Sequence, residues 1–219
     1  MGAWPLRQVR QDRRDEPARL ADLRFLRLVG REAWDQLPPA VQARFAKRLS
    51  GDAVALYRGR VIRSELSPLG WMLAQLLRLI GAPLPISRDT DVPAVVSVSE
   101  DGAGGGQVWS RLYGRRAGFP QVIHSAKRFA GPTGLEEYIG CGIGMALNVE
   151  AMADGLRFSS NHYFLLVGGR RLRLPKWLSP GCTVVEHHDL GSGCFIFSLS
   201  LAHPVFGRLV EQHALFHDA

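Results

Sequence analysis

The chain has 219 residues, 46% hydrophobic and 21% charged, with a formal net charge of +7. That balance fits a soluble globular protein with a sizeable core. No run of about 18 uncharged apolar residues occurs, which excludes a membrane-spanning helix. The charge favours acidic partners such as nucleic acid, anionic lipid or phosphorylated ligands. Its arginines are scattered and no nucleic-acid-binding motif accompanies them, so nucleic acid is not the expected partner.

Met1 to Glu16, with Arg7, Arg10, Arg13 and Arg14, reads as a disordered basic tail (residues 1–16) ahead of a single α+β domain (residues 17–219). The tail has no apolar core of signal-peptide length, so secretion is not expected and a cytoplasmic location is. Three cysteines without a C-x-x-C spacing agree, reading as reduced thiols that serve as small buried hydrophobes. From Pro17, Leu20, Leu23, Phe25, Leu26 and Val29 recur at helical spacing. Pro38-Pro39 starts a further short helix through Val41, Phe45 and Leu49, closed by Ser50-Gly51-Asp52. Ala53 to Arg63 reads as extended, with a bulge or bend at Gly59. Pro68 opens an amphipathic or buried helix over Leu69 to Ile80, which holds Gln75 and Arg78.

Beyond Gly81-Ala82-Pro83 the helix signals nearly vanish. Strands are predicted over 92–99, 107–113, 121–129, 135–139, 143–153, 156–167, 182–189, 194–202 and 208–216. Short turns such as Asp154-Gly155 and Gly191-Ser192-Gly193 join them. The expected architecture is therefore α+β, mostly β. An antiparallel meander of eight or nine strands would form a curved sheet, half-barrel or sandwich, with N-terminal helices packed against it.

Several residues in this meander form an ordered set. They are Trp109-x-Arg111-x-Tyr113, Glu137-x-x-Gly140, Asp154-Gly155-Leu156, Leu174-Pro175-x-x-Leu178-x-Pro180, Glu186, Phe195-x-Phe197 and Pro204-x-x-Gly207, preceded by Gly30 and Leu37-Pro38-Pro39. In order and spacing the chain resembles the bacterial family known as domain of unknown function 4166, from about Leu23 to Phe216. Members of that family stand alone or end proteins that carry a dehydrogenase-like or epimerase-like domain. The resemblance implies an oxidoreductase domain as a partner and no reaction that can be carried over residue by residue. Two departures stand out: Glu211-Gln212-His213-Ala214 lacks the family's aromatic-glycine pattern, and residues 1–16 have no counterpart.

Trp109, Arg111 and Tyr113 alternate and so share one face of a strand. Beside Glu137, Arg111 would form a buried pair that binds the polar end of a ligand, or a structural ion pair that fixes sheet register. In Glu186-His187-His188-Asp189, Glu186 and His188 share a face, and a third group such as His162 would have to come from elsewhere. That spacing is too loose for a metal, and none is expected. Gly140-Cys141-Gly142-Ile143-Gly144 lacks the full dinucleotide fingerprint and the helix that should follow it, so no cofactor is expected.

Gly168 to Gly181 gathers Arg170, Arg171, Arg173, Lys176 and Trp177 on a proline-broken connection. These are candidates for surface or membrane contact, at the inner membrane if peripheral. Alternatively, Leu172, Leu174, Trp177 and Leu178 cap the end of the core. The leading expectation is a domain that binds a hydrophobic or lipid-like small molecule inside the curved sheet, with Trp109, Arg111, Tyr113, Glu137, His162, Glu186 and His188 as candidate contacts. An enzyme or accessory subunit of an oxidoreductase, and a peripheral membrane protein, are the rivals.

Overall fold

A computed structural model describes residues 22–81 and 83–218; the expected tail at 1–16 and the helix start at Pro17 lie outside them. The strands are β1 (Ala55–Leu66), β2 (Val92–Asp101), β3 (Gly106–Tyr113), β4 (Gln121–Arg128), β5 (Glu136–Gly140), β6 (Ile143–Met152), β7 (Gly155–Val167), β8 (Arg170–Arg173), β9 (Cys182–Gly191), β10 (Cys194–His203) and β11 (Gly207–Asp218). All pair antiparallel, and β1 pairs with both β2 and β11. With β6 on β7 and β7 on β9, ten strands close into a barrel, and β8 hangs on the far end of β7 as an eleventh.

The mostly-β, antiparallel expectation holds, but a half-barrel or sandwich of eight or nine strands does not: the sheet closes completely. Closure was hidden because the closing strand β1 is cut off from β2 by a helix and a long connection. Its partner β11 runs past the expected end at Phe216 to Asp218, where Tyr57 faces it in register. Strand β8 lacks a burial alternation to read, since all four of its residues are exposed.

Side chains alternate as a closed sheet requires. On β2, Val92, Ala94, Val96 and Val98 point into the core while Pro93 is exposed and Val95, Ser97 and Ser99 are half-buried. Outside stand ion pairs such as Arg60–Asp91 and Arg157–Glu186, both at 2.6 Å. Apolar inside and charged outside is the inverse of a membrane-spanning barrel. None of the described helices is long and apolar enough to cross a membrane either.

Gly59 does not form the bulge; the register slips two residues on, between Val61 and Arg63. Gly59 instead permits close approach of β11, because a Cβ there would lie 1.9 Å from the Leu215 carbonyl oxygen. The Gly140–Gly144 stretch is a tight hairpin whose turn residues, Cys141 and Gly142, both have positive φ. Cys141 and Cys182 are exposed and Cys194 is half-buried, which corrects the expectation of buried thiols; all three are free.

Helices cover both barrel ends. At one end, α1 (Arg24–Val29), α2 (Arg31–Asp35) and α3 (Pro39–Phe45) bury Phe25, Trp34, Val41 and Phe45 against Leu156 and Phe158. Helix α3 stops at Phe45, short of Leu49, and Arg44 pins it with ion pairs to Asp189 and Asp218 at 2.6 and 2.7 Å. At the other end lies α4 (Pro68–Leu76), which continues as a 3-10 turn through Ile80. The Ser67 side chain accepts from the Gly70 N–H at 3.0 Å, and Pro68 sits in the first turn. Ala74 then packs on Leu66, Leu201 and Val210.

Candidate functional site

Four polar side chains meet inside the barrel. Strand alternation turns Arg111 (β3), Ser125 and Lys127 (β4) and Glu137 (β5) inward, and the β4–β5 register places Lys127 opposite Glu137. One carboxylate oxygen, Glu137 Oε1, accepts from Ser125 Oγ at 2.6 Å, from Arg111 Nη2 at 3.0 Å and from Lys127 Nζ at 3.0 Å. Arg111 Nη2 also donates to Ser125 Oγ at 2.7 Å. Burial alone would raise the Glu137 pKa, but the two cations and the Ser125 hydroxyl outweigh it and hold it at about 2. Burial pushes the Lys127 pKa down, and Glu137 offsets part of that. The ammonium also lies 4.9 Å from the Trp109 ring centroid, over the ring. With Lys127 protonated, two cations against one carboxylate give this buried cluster an excess of one positive charge.

The interior beside the cluster is not filled. Two adjoining cavities of about 60 and 70 Å³ share Arg111, Ile123 and Pro83 in their walls. Val96, Trp109, Tyr113, Phe197 and Phe216 make the first largely apolar. Glu137 and Ser125 open onto the second, opposite Met145, Leu199 and Leu201. Tyr163 also lines it and shares a 2.6 Å hydrogen bond with Thr183. Leu77, Leu84 and Pro180, from the connections at the α4 end, line this second cavity as well.

A smaller space of about 20 Å³, enough for one water, adjoins His187 at the α3 end. The His187 ring is fully buried and stacked on Phe195 with centroids 5.0 Å apart. Its Nδ1 has no hydrogen-bond partner among the described residues. Burial, aided by Arg44, lowers its pKa to about 4, so the imidazole is neutral at physiological pH.

Trp109, Arg111, Tyr113 and Glu137 therefore share one interior. Glu186, His188 and His162 do not join them, because each stands on the outer face of its strand. Glu186 pairs with Arg157 at 2.6 Å and His188 with Asp154 at 3.0 Å, and His162 lies 2.9 Å from Asn161 Oδ1. Among the described residues no three His, Cys, Asp or Glu side chains converge on a metal position. Arg171 is tied to Glu136 at 2.6 Å, whereas Arg170, Arg173, Lys176 and Trp177 are exposed. Of the leucines expected to cap the core there, Leu174 packs against it while Leu172 and Leu178 are exposed.

Sequence reasoning missed Lys127, Ser125, Tyr163 and His187. The available signal was the phase of β4, where Gln121, Ile123, Ser125 and Lys127 fall on one face. Only three lysines occur in this arginine-rich chain, and one of them is buried here.

One family model, described as a domain of unknown function (DUF4166), matches residues 37–216, most of the chain. A curated relative described as "Uncharacterized protein YndH", from Bacillus subtilis (strain 168), is 33% identical over 73 residues. That alignment covers 33% of this chain and 36% of the relative.

Proposed function

Since this chain belongs to the family described as a domain of unknown function (DUF4166), we propose, from its own interior, that it binds a small apolar molecule with an acidic head. The head group lies at Arg111 and Lys127, and the body lies along Trp109, Phe197 and Phe216. One observation carries this reading: a buried cluster with one excess positive charge faces an otherwise apolar cavity. A buried charge without a counter-ion costs several kcal/mol, and a bound anion removes that cost. Both cations can serve a carboxylate, because Glu137 occupies only one Nη of Arg111 and one N–H of Lys127.

Cavity size narrows the class. The two spaces, about 60 and 70 Å³, together approach the roughly 150 Å³ that accepts a benzene ring in an engineered protein cavity. A short aliphatic acid therefore fits without rearrangement, and a compact aromatic acid fits with a small outward shift of the lining side chains. A full acyl chain requires the Pro83–Leu84 segment to move outward.

The catalytic alternative is less well supported. Glu137, ionised down to about pH 2, cannot donate a proton near neutrality. Native mass spectrometry of the purified protein, with organic extraction of the same sample, tests the binding reading. An acidic molecule that leaves under denaturing conditions supports it. Recovery of only neutral molecules bound inside an intact barrel would overturn it.

A further inference from the structure

The charged and apolar surfaces of this molecule are unevenly placed. In an up-and-down barrel, alternate connections emerge at the same end. Here the connections 67–91, 114–120, 141–142, 168–181 and 204–206 share the α4 end. Four large apolar side chains in the described residues are more than three-quarters exposed: Phe119 (90%), Leu79 (85%), Trp177 (78%) and Val205 (78%). They come from four different connections, and all four stand at this one end. Phe206, Leu76, Met72 and Trp71 add to the same face at lower exposure. At the opposite end α1–α3 bury Phe25, Trp34, Val41 and Phe45, and the apolar side chains left exposed there, Val54 (59%), Leu190 (56%) and Leu23 (48%), stay below three-quarters exposed.

Cations surround these tips. The five connections carry eight arginines and lysines against two carboxylates, Asp89 and Asp91. Both carboxylates are engaged, Asp89 with the Arg116 N–H and Asp91 with Arg60. Arg170, Arg173 and Lys176, which flank Trp177, make no ion pair among the described residues. Arg115 and Arg116 precede Phe119, and Arg78 precedes Leu79.

We propose that this end docks on an anionic lipid bilayer, the Phe119, Leu79, Trp177 and Val205 tips entering the interface while the cations meet the headgroups. Charge complementarity favours an anionic surface: three of the four tips, Phe119, Leu79 and Trp177, are flanked in sequence by arginines or lysine, and the only carboxylates in these connections are already engaged. Tryptophan prefers the membrane–water interface, and each cation near an anionic surface adds about 1 kcal/mol, or about fivefold in partitioning. The proposal does not depend on the ligand reading of the interior.

The test is co-sedimentation with sucrose-loaded vesicles, either phosphatidylcholine alone or about one-third phosphatidylglycerol, at low and high salt. The expected result is binding to the anionic vesicles, lost at high salt and absent on phosphatidylcholine. Combined Arg170→Ser, Arg173→Ser and Lys176→Ser substitution should weaken partitioning on the order of a hundredfold. Phe119→Ser with Trp177→Ser should weaken it at least about tenfold without lowering Tm, since both side chains are exposed. Lys127→Met, which disables the interior, should bind vesicles as the wild type does. No binding at low salt, or equal binding to both vesicles, would overturn the proposal. So would sedimentation equilibrium showing a wild-type dimer that Phe119→Ser with Trp177→Ser dissociates, because the face would then join two copies of this chain.

Discussion

Replacing Glu137 with Gln is the most informative single change, because it keeps the shape of the cluster and removes its only negative charge. Arg111 Nη2 and Lys127 Nζ each lie 3.0 Å from Glu137 Oε1 and so stand at most 6.0 Å apart. Two unit charges at that separation repel by about 3 kcal/mol at an effective dielectric constant near 20. Loss of the attraction to Glu137 adds to this, while the partial exposure of Arg111 and proton loss from Lys127 subtract. A net loss of roughly 3 kcal/mol matches the usual result of breaking a buried ion pair. For a chain of this size that lowers Tm by about 10 °C. Urea denaturation followed by tryptophan fluorescence, with and without benzoate, measures it. Benzoate should restore more stability to Glu137→Gln than to the wild type, and benzyl alcohol should not. A loss below about 1 kcal/mol, or equal rescue by both compounds, would refute the reasoning.

His187 sets a pH dependence of stability. Its pKa is lowered from 6.5 to about 4 by burial and by Arg44, so the unfolded chain binds the extra proton between those values. Stability is therefore full above pH 6.5 and falls by roughly 3 kcal/mol on acidification to about pH 4. His187→Phe should flatten that slope in urea titrations at stepped pH. Glu137 acts in a lower window: its depressed pKa gives stability that is complete above 4.5 and lost toward pH 2. Arg44→Ala removes the partner of the Asp189 carboxylate, whose side chain is only 9% exposed, and unpins α3, costing about 3 kcal/mol. Hydrogen exchange should then rise in 24–45 while β2 to β4 stay protected. Gly59→Ala puts a Cβ against the Leu215 carbonyl at the closing seam. Forced separation of β1 and β11 there should cost at least about 3 kcal/mol in chemical denaturation.

Much of the barrel could be read from local pattern. The Asp154-Gly155 and Gly191-Ser192-Gly193 signals mark real hairpins, and β2 alternates cleanly. Closure could not be read, because it depends on Tyr57 meeting Asp218 across 161 positions of sequence, and no local pattern encodes that pairing. The interior cluster was half legible for the same reason. Arg111 was placed by its aromatic neighbours Trp109 and Tyr113, whereas Lys127 sits in a strand with few strong apolar residues to fix its phase. Glu186-His187-His188-Asp189 shows the ambiguity of period two: the strand buries His187 and turns Glu186 and His188 outward. The apolar tips at the α4 end carried no periodic signal, since Phe119, Val205 and Phe206 lie in connections too short to show one.

The central claim is that the barrel interior selects an acidic head group through Arg111 and Lys127. Calorimetric titration of the wild type and of Lys127→Met with benzoate and with benzyl alcohol tests it most directly. The account predicts that the wild type prefers benzoate by at least about tenfold, the equivalent of one charge-assisted hydrogen bond, and that Lys127→Met loses this preference while remaining folded. Equal affinity for the two compounds in the wild type, or an unchanged preference in Lys127→Met, would contradict it.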